Sequence, residues 1–176
     1  MLHGERIKLR PIRADDLPMM RGWFQERETA ATWARHPVIA ESHFESDLHG
    51  RFATFDRDGH FAVENEQGEF IGRIDYDDLN PIDRTAELSI LIGTPDARSR
   101  GYGSDAMHTL IEHLFNDRQI ERLWLSVIAF NLPAIRLYEK LGFVHEGALV
   151  QTVWLDDAWH DLLLMGMFRS EYRGRG

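Results

Sequence analysis

Apolar and polar residues alternate along this chain with two different periods, and each period indicates one type of secondary structure. The segment ERIKLRPI, residues 5–12, alternates with a period of two and predicts a strand. The segment 104–117 predicts a helix, because its apolar residues recur at helical spacing: Met107, Leu110, Ile111 and Leu114. The chain is therefore expected to combine strands with helices.

The other segments extend this pattern on both sides of that helix. Helices are predicted at 14–25, at 41–55 and at 131–142, where Asn131 suits the N-terminal cap and Gly142 the C-terminal cap. Further strands are predicted in a hairpin over 60–79, at 84–93, at 121–129, and as a pair over 143–168. This order predicts an α/β (α+β) fold with a mixed sheet flanked by helices, as a single domain over residues 1–176.

The composition excludes several kinds of chemistry. The chain has 176 residues and no cysteine, which rules out disulfides, thiolate metal sites and a cysteine nucleophile. The start, MLHGERIKLR, lacks the apolar core of a signal peptide, and runs such as LWLSVIAF are too short to span a membrane. We therefore expect a cytoplasmic protein with no membrane partner.

The formal net charge is −9, from 20 basic and 29 acidic residues. General binding of nucleic acid needs a basic face, so this balance argues against nucleic acid as a partner. It favours cationic small molecules or basic peptides, although acidity also serves solubility alone. The charge therefore narrows the class of partner without naming one.

The stretch RSRGYG, residues 98–103, lies between a predicted strand and a predicted helix. Glycine permits tight turns, and the free N–H groups at a helix start form an anion site. The lysine of a nucleotide-binding P-loop is missing. GYGSDA, residues 101–106, matches the dinucleotide pattern, but TPDARSR separates it from the strand that should precede it directly. That pattern also needs an acidic residue about 20 positions later, at the end of the next strand, whereas Glu121 stands at its beginning. A dinucleotide therefore remains the weaker alternative.

A second motif, NLPAIRLYEKLGF at residues 131–143, follows the next strand. With RSRGYG before it, the chain resembles the GNAT superfamily of acetyl-CoA-dependent N-acyltransferases, and the resemblance covers nearly the whole chain. The segments IKLRPIRADDL and DDAWHDLLLMGMF are similar to the branch that holds ribosomal-protein and polyamine acetyltransferases. The resemblance implies that two central strands splay and open a cleft for acetyl-CoA.

The resemblance also implies which residues bind this co-substrate. Backbone N–H groups from Arg98 to Ser104 are expected at the pyrophosphate, with Arg98 and Arg100 adding charge. Backbone N–H groups near Leu91 and Ile92 are expected at the thioester oxygen, where the family often has a bulge. The full expected set is Leu91, Ile92, Arg98, Ser99, Arg100, Gly101, Tyr102, Gly103, Ser104, Asn131 and Ala134, with no metal.

Two side chains are the candidates for proton transfer. Asn131, Ala134 and Tyr138 share one helix face, and Tyr138 is expected to protonate the departing thiolate. Glu87 lies on the strand TAELSILI, whose alternation places it on the face opposite Leu88, and it is expected to deprotonate the acceptor amine. A solvated glutamate and an ordinary half-buried tyrosine are the plain alternatives.

The acceptor remains open at this stage. It is expected to be a protein N-terminal amine, or a polyamine or aminoglycoside, and the protein a monomer or homodimer. A non-catalytic acyl-CoA sensor is the alternative from another class. Two regions are candidates for the acceptor side. The first is the group of acids Asp75, Asp77, Asp78 and Asp83, for which a solvated hairpin is the alternative interpretation. The second is the early helical region with Trp33, His36, Phe44 and His49.

Overall fold

One eight-stranded sheet organises the protein in a computed structural model that describes residues 1–32 and 57–175. The strands are β1 (Leu2–His3), β2 (Lys8–Pro11), β3 (Gly59–Glu64), β4 (Phe70–Asn80), β5 (Thr85–Ile92), β6 (Arg122–Ile128), β7 (Val144–Leu155) and β8 (Ala158–Phe168). The helices are α1 (Leu17–Gln25), α2 (Arg27–Thr32), α3 (Tyr102–Asn116) and α4 (Leu132–Leu141). Across the sheet the strands run in the order β1-β2-β3-β4-β5-β6-β8-β7.

The centre of the sheet confirms the mixed arrangement and the splayed strands. All neighbouring strands are antiparallel except β5 and β6, which are parallel. Their pairing runs only from Thr85 with Arg122 to Glu87 with Trp124. Beyond that point both strands continue without pairing to each other, to Ile92 and Ile128. The sheet therefore opens between β5 and β6.

The two faces of the sheet bury separate apolar clusters. On one face, α3 and α4 pack against β5 and β6, and the cluster includes Leu88 and Tyr138. On the other face, α1 places Met20 and Trp23 against Leu91. Leu88 and Leu91 face opposite sides because side chains alternate along a strand. Glu87 shares the face of Leu91, as the alternation of TAELSILI predicts.

The predicted first strand, residues 5–12, is shorter in the structure, because a carboxylate takes up its first N–H groups. Asp105, in the first turn of α3, accepts hydrogen bonds from the backbone N–H groups of Glu5, Arg6 and Ile7 at 3.1, 2.6 and 3.1 Å. The Arg175 guanidinium binds the same carboxylate. Asp105 therefore joins the N-terminal hairpin, α3 and the C-terminal segment.

We expect Asp105→Asn to lower the free energy of unfolding by about 2 kcal/mol, because an amide cannot accept all of these hydrogen bonds. Burial alone raises the pKa of Asp105, but hydrogen bonds from Arg175, Arg6 and Glu5 outweigh it and hold the pKa below the usual 3.8. The stabilisation is present above pH 3.8 and is lost as the pH falls through the lower folded value.

Urea unfolding at pH 7 and at pH 3 tests this prediction. Asp157→Asn, at an exposed turn between β7 and β8, is the matched control and should change little. Equal destabilisation by the two variants at pH 7 would contradict the assigned role of Asp105.

The remaining predictions for the fold agree with the structure where it is described. The hairpin, the strands around the glycine loop, the two later helices and the final strand pair are all present. The predicted helical region at 41–55, with Trp33, His36, Phe44 and His49, lies outside the described residues. Within residues 1–32 and 57–175, no helix combines the length and apolar character needed to cross a bilayer.

Candidate functional site

A cavity of about 850 Å³ occupies the opening between β5 and β6. Its walls come from the ends of these strands, from β4, from the loop before α3 and from one side of α4. Tyr138 belongs to the cluster on the α3 face, whereas Glu87 lies on the α1 face. Both line the cavity, so the gap in the sheet gives side chains from opposite faces access to the same space.

The glycine loop forms one end of this cavity as an anion site. Ser99 and Gly101 have left-handed backbone angles, with φ of 58° and 89°, and α3 begins directly afterwards. The first intrahelical hydrogen bond runs from the Asp105 N–H to the Gly101 carbonyl. The three preceding N–H groups, of residues 102–104, therefore have no acceptor within the helix. Together with the helix dipole they suit a phosphate group.

The arginines of the loop differ from the prediction. The N–H of Arg98 donates to Pro95 O at 3.0 Å, so it is not available to the anion. Its guanidinium donates to the carbonyls of Ile92 and Gly93, at 3.0 and 3.1 Å, and to the Thr29 hydroxyl. Arg98 therefore borders the cavity, but its guanidinium mainly stabilises the end of β5.

Arg100 and Tyr102 are also placed differently from the prediction. The Arg100 side chain is exposed, and the backbone carbonyl of Arg100 accepts a 2.6 Å hydrogen bond from the Arg6 guanidinium. Tyr102 is buried, and its hydroxyl donates to Glu66 at 2.8 Å. Neither side chain lines the cavity. The part of the loop that lines the cavity thus consists of Ser99, Gly101, Gly103 and Ser104, which offer backbone groups and no cationic side chain.

The register of β4 and β5 decides which N–H groups of β5 face the cavity. The Gly93 N–H donates to Ile71 O, and pairing is one to one from Ile92 with Gly72 to Glu87 with Asp77. Along a strand of an antiparallel ladder, N–H groups point alternately towards and away from the partner strand. Because the Gly93 N–H points towards β4, the N–H of Leu91 also points towards β4 and that of Ile92 points away from it. The prediction is therefore corrected at Leu91. Residues 87–92 pair one to one, and the irregularity follows directly after them, where the N–H groups of Gly93 and Thr94 both donate to Ile71 O, at 3.0 and 3.2 Å. The outward N–H groups are those of Ile92 and Ile90.

The helix α4 begins and ends as its capping residues predict. The Asn131 side chain accepts from the Ala134 N–H at 3.3 Å, and Gly142 closes the helix with φ of 102°. Tyr138 is buried, with its ring against Phe143 at 6.1 Å between centroids. Asn131, Ala134 and Tyr138 all line the cavity. The Asn131 oxygen, however, serves the helix cap.

Burial raises the pKa of Tyr138 to about 12. The phenol therefore keeps its proton throughout the neutral and mildly alkaline range. A phenol in this state can donate a hydrogen bond to negative charge that forms beside it, such as a departing thiolate, whose own pKa the same burial raises.

Carboxylates line the other end of the cavity. Glu87 accepts a hydrogen bond from the Ser126 hydroxyl at 3.4 Å. Asp77, directly opposite Glu87 on β4, and Asp78 beside it also line the cavity. Sequence reasoning missed Ser126, although it interrupts the apolar run LWLSVIA. This end is suited to a cation.

The other two acids proposed for this rim lie elsewhere. Asp75 is 1% exposed and binds His60 and Arg73, each at 2.9 Å. Asp83 is exposed in the turn after β4 and accepts from Asn80 at 2.7 Å. Asp75 and Asp77 share one face of β4, so alternation along the strand does not separate the buried acid from the one at the cavity.

Comparison with known proteins gives a family. The family model described as an acetyltransferase (GNAT) domain matches residues 6–144. Spermidine N(1)-acetyltransferase of Vibrio cholerae is 26% identical over 172 residues, covering 98% of each chain. The Escherichia coli K12 protein of the same name is 27% identical and covers 98% of this chain and 91% of its own.

Two further comparisons concern another acceptor and the fold. The ribosomal-protein-serine acetyltransferase of Escherichia coli K12 is 29% identical over 56% of this chain and 55% of its own. The crystal structure of the Vibrio cholerae spermidine N-acetyltransferase with CoA and spermine has a TM-score of 0.85 at 24% identity. The match covers 95% of this chain and 98% of the other. A dodecameric structure of that protein has a TM-score of 0.80 at 25% identity, with coverages of 97% and 98%.

Proposed function

Because this chain belongs to the GNAT acetyltransferase family, we propose that it transfers the acetyl group of acetyl-CoA to a primary amine of a small polycation such as spermidine. The observation that carries this proposal is the cavity through the sheet. It joins the backbone N–H groups of the glycine loop at one end to the carboxylates of Asp77, Asp78 and Glu87 at the other, and Tyr138 lines it as well.

The cavity fits acetyl-CoA as a co-substrate. The N–H groups of residues 102–104 and the left-handed turn at Ser99 and Gly101 would hold the pyrophosphate. The small Ala134 on the cavity side of α4 leaves room for the pantetheine arm. The outward N–H groups of Ile90 and Ile92 would stabilise negative charge on the thioester oxygen. When bound, acetyl-CoA supplies an activated acyl group with a thiolate leaving group.

Glu87 and Tyr138 would carry the protons of this transfer. An ammonium with a pKa near 10 must lose its proton before it can attack, and Glu87 accepts that proton directly or through water. The C–N bond then forms and the C–S bond breaks. The nitrogen, which carries a positive charge after its attack, releases its second proton, and Tyr138 donates its own proton to the departing sulfur. The proton released by nitrogen restores Tyr138, directly or through solvent, so the net reaction releases one proton. The reaction needs no enzyme-bound acyl group, which agrees with the absence of cysteine.

The acceptor is the finer part of the proposal. Two relatives named spermidine acetyltransferases match over 98% of this chain at 26% and 27% identity, and a putative ribosomal N-acetyltransferase of Bacillus subtilis matches over 97% of it at 23% identity. Asp77, Asp78 and Glu87 give the acceptor end a local negative charge, in keeping with the net charge of −9. These features favour a polyamine over a protein N-terminus.

An acceptor panel tests the proposal. Thiol release from acetyl-CoA would be measured with spermidine, an aminoglycoside, and peptides with a free N-terminus or a free lysine. We expect the highest kcat/KM with spermidine. Preference for the free N-terminus would support the ribosomal-protein type of acceptor instead. Acetyl-CoA binding, seen as a raised melting temperature, without any release would support a sensor.

The oligomeric state belongs to the same proposal. A monomer or homodimer is expected from the sequence, whereas one similar protein is described as dodecameric. Light scattering on the purified protein, with and without spermidine, distinguishes these states.

A further inference from the structure

A chain of polar and ionisable side chains leads from the interior of the sheet to the acceptor end of the cavity. Arg73 binds Asp75, and Asp75 binds His60 Nδ1, each at 2.9 Å. His60 Nε2 lies 3.9 Å from Asp77 Oδ1. His60 and Asp75 are 2% and 1% exposed, whereas the side chain of Asp77 is 27% exposed and lines the cavity. The chain therefore ends at a ligand-facing carboxylate.

The backbone of β4 places this carboxylate beside Glu87. Asp77 and Glu87 are direct cross-strand partners, and pairing is irregular immediately after Asp77. Side chains at such positions lie on one face, about 4.8 Å apart along the hydrogen-bonding direction. Two like charges at this spacing repel each other, so a ligand with positive charge between or beside them is favoured.

Stability alone does not account for the arrangement. Burying charged groups is costly, and apolar residues of similar size stabilise a core as well or better. Ala62 and Leu91 are apolar positions on the same face, whereas Ser89, opposite Asp75, donates its hydroxyl to Asp75 at 3.3 Å. The polar chain instead places the His60 ring 3.9 Å from Asp77 at the wall of the cavity.

We propose that Asp77 is a specificity-determining residue that binds a second ammonium group of the acceptor, and that His60 is the positioning residue that holds Asp77 there. This inference rests on the proposed function, in which Glu87 serves the reacting nitrogen. The strand spacing matches two nitrogens separated by a short alkyl chain. Acceptors with a three- or four-carbon diamine unit are therefore preferred over monoamines.

The test is a chain-length series of acceptors: propylamine, 1,3-diaminopropane, 1,4-diaminobutane and spermidine. For Asp77→Asn we expect KM for the diamines and spermidine to rise about tenfold, because a charge-assisted contact is lost. The KM values for propylamine and acetyl-CoA should stay nearly unchanged. Asp77→Glu should restore part of the preference for diamines. Asp83→Asn, in the exposed turn after β4, is the matched control and should behave as the wild type.

A double-mutant cycle tests the role of His60. We expect His60→Gln to raise the diamine KM less than Asp77→Asn does, with kcat little changed. The double variant should match Asp77→Asn alone, because His60 acts through Asp77. Additive effects, or equal losses with propylamine, would assign His60 a general structural role and overturn this part of the inference.

The design separates this inference from the proposed function. If the wild type acetylates amines but Asp77→Asn keeps its preference for diamines, only the inference is wrong. If no amine is acetylated, calorimetry of 1,3-diaminopropane with the CoA-bound protein decides: binding lost in Asp77→Asn supports the inference, and absence of binding overturns it.

Discussion

Tyr138→Phe should lower kcat about 100-fold while leaving KM for acetyl-CoA within about twofold, because only the proton donor is removed. The ring of Tyr138 is buried against Phe143 and does not need its hydroxyl to pack, so the melting temperature should hardly change. Steady-state thiol release with saturating spermidine measures the effect. An unchanged kcat would exclude Tyr138 as the acid.

The pH dependence gives a second view of the same residue. Burial raises the pKa of Tyr138 to about 12, so the protonated form that donates to sulfur is lost only as the pH rises through that value. The wild-type rate should therefore show no alkaline decline up to about pH 10, after correction for spontaneous thioester hydrolysis. A decline beginning near pH 8 would show that another group is the acid.

Tyr172→Phe is the matched control for this substitution. The Tyr172 hydroxyl contacts Glu112 at 3.2 Å and His108 at 2.7 Å, outside the cavity. Its loss should affect stability and leave kcat unchanged. Equal loss of kcat in both variants would indicate that the effect at Tyr138 is indirect.

Glu87→Gln should lower kcat/KM for the amine about 100-fold at pH 7, because the acceptor then loses its assisted deprotonation. The rate of the variant should follow the fraction of free amine and rise about tenfold per pH unit towards the pKa of the acceptor near 10. The difference from the wild type should therefore narrow as the pH rises.

The shape of the pH profile decides the role of Glu87. If the variant kept the same acidic limb as the wild type, Glu87 would not be the base. Glu121→Gln, at the start of β6 and bound to Arg84 at 3.1 Å, is a control that should leave the profile unchanged. A similar loss there would point to a general effect of charge.

The sequence was sufficient for features that depend on local pattern. Alternation in TAELSILI predicted that Glu87 and Leu88 lie on different faces of β5, and the capping preferences predicted Asn131 and Gly142 at the ends of α4. The left-handed backbone conformation of Gly101 was predictable because a glycine stands directly before the helix. Each of these depends on a few neighbouring residues, which is why it can be read along the chain.

The features that the sequence did not predict depend on partners far along the chain. The N–H direction of Leu91 follows from its register with Arg73. Asp75 is buried because His60 and Arg73 meet it from neighbouring positions in the sheet. Arg98 turns to the carbonyls at the end of β5, which only the folded loop brings within reach. Such pairings are properties of the assembled sheet.

Hydrogen bonds of Arg6 and Asp105 connect the glycine loop to the N-terminal hairpin, which is far from the loop in the sequence. The Arg6 guanidinium holds the carbonyl of Arg100, 94 positions away, while Asp105 holds the N–H groups at the start of β2. Local opening of the N-terminal hairpin must therefore loosen the loop, and by linkage a ligand on the loop must slow that opening. The amides of residues 5–7 should accordingly exchange with deuterium more slowly when acetyl-CoA is bound, which makes the turn between β1 and β2 a distant reporter of co-substrate occupancy.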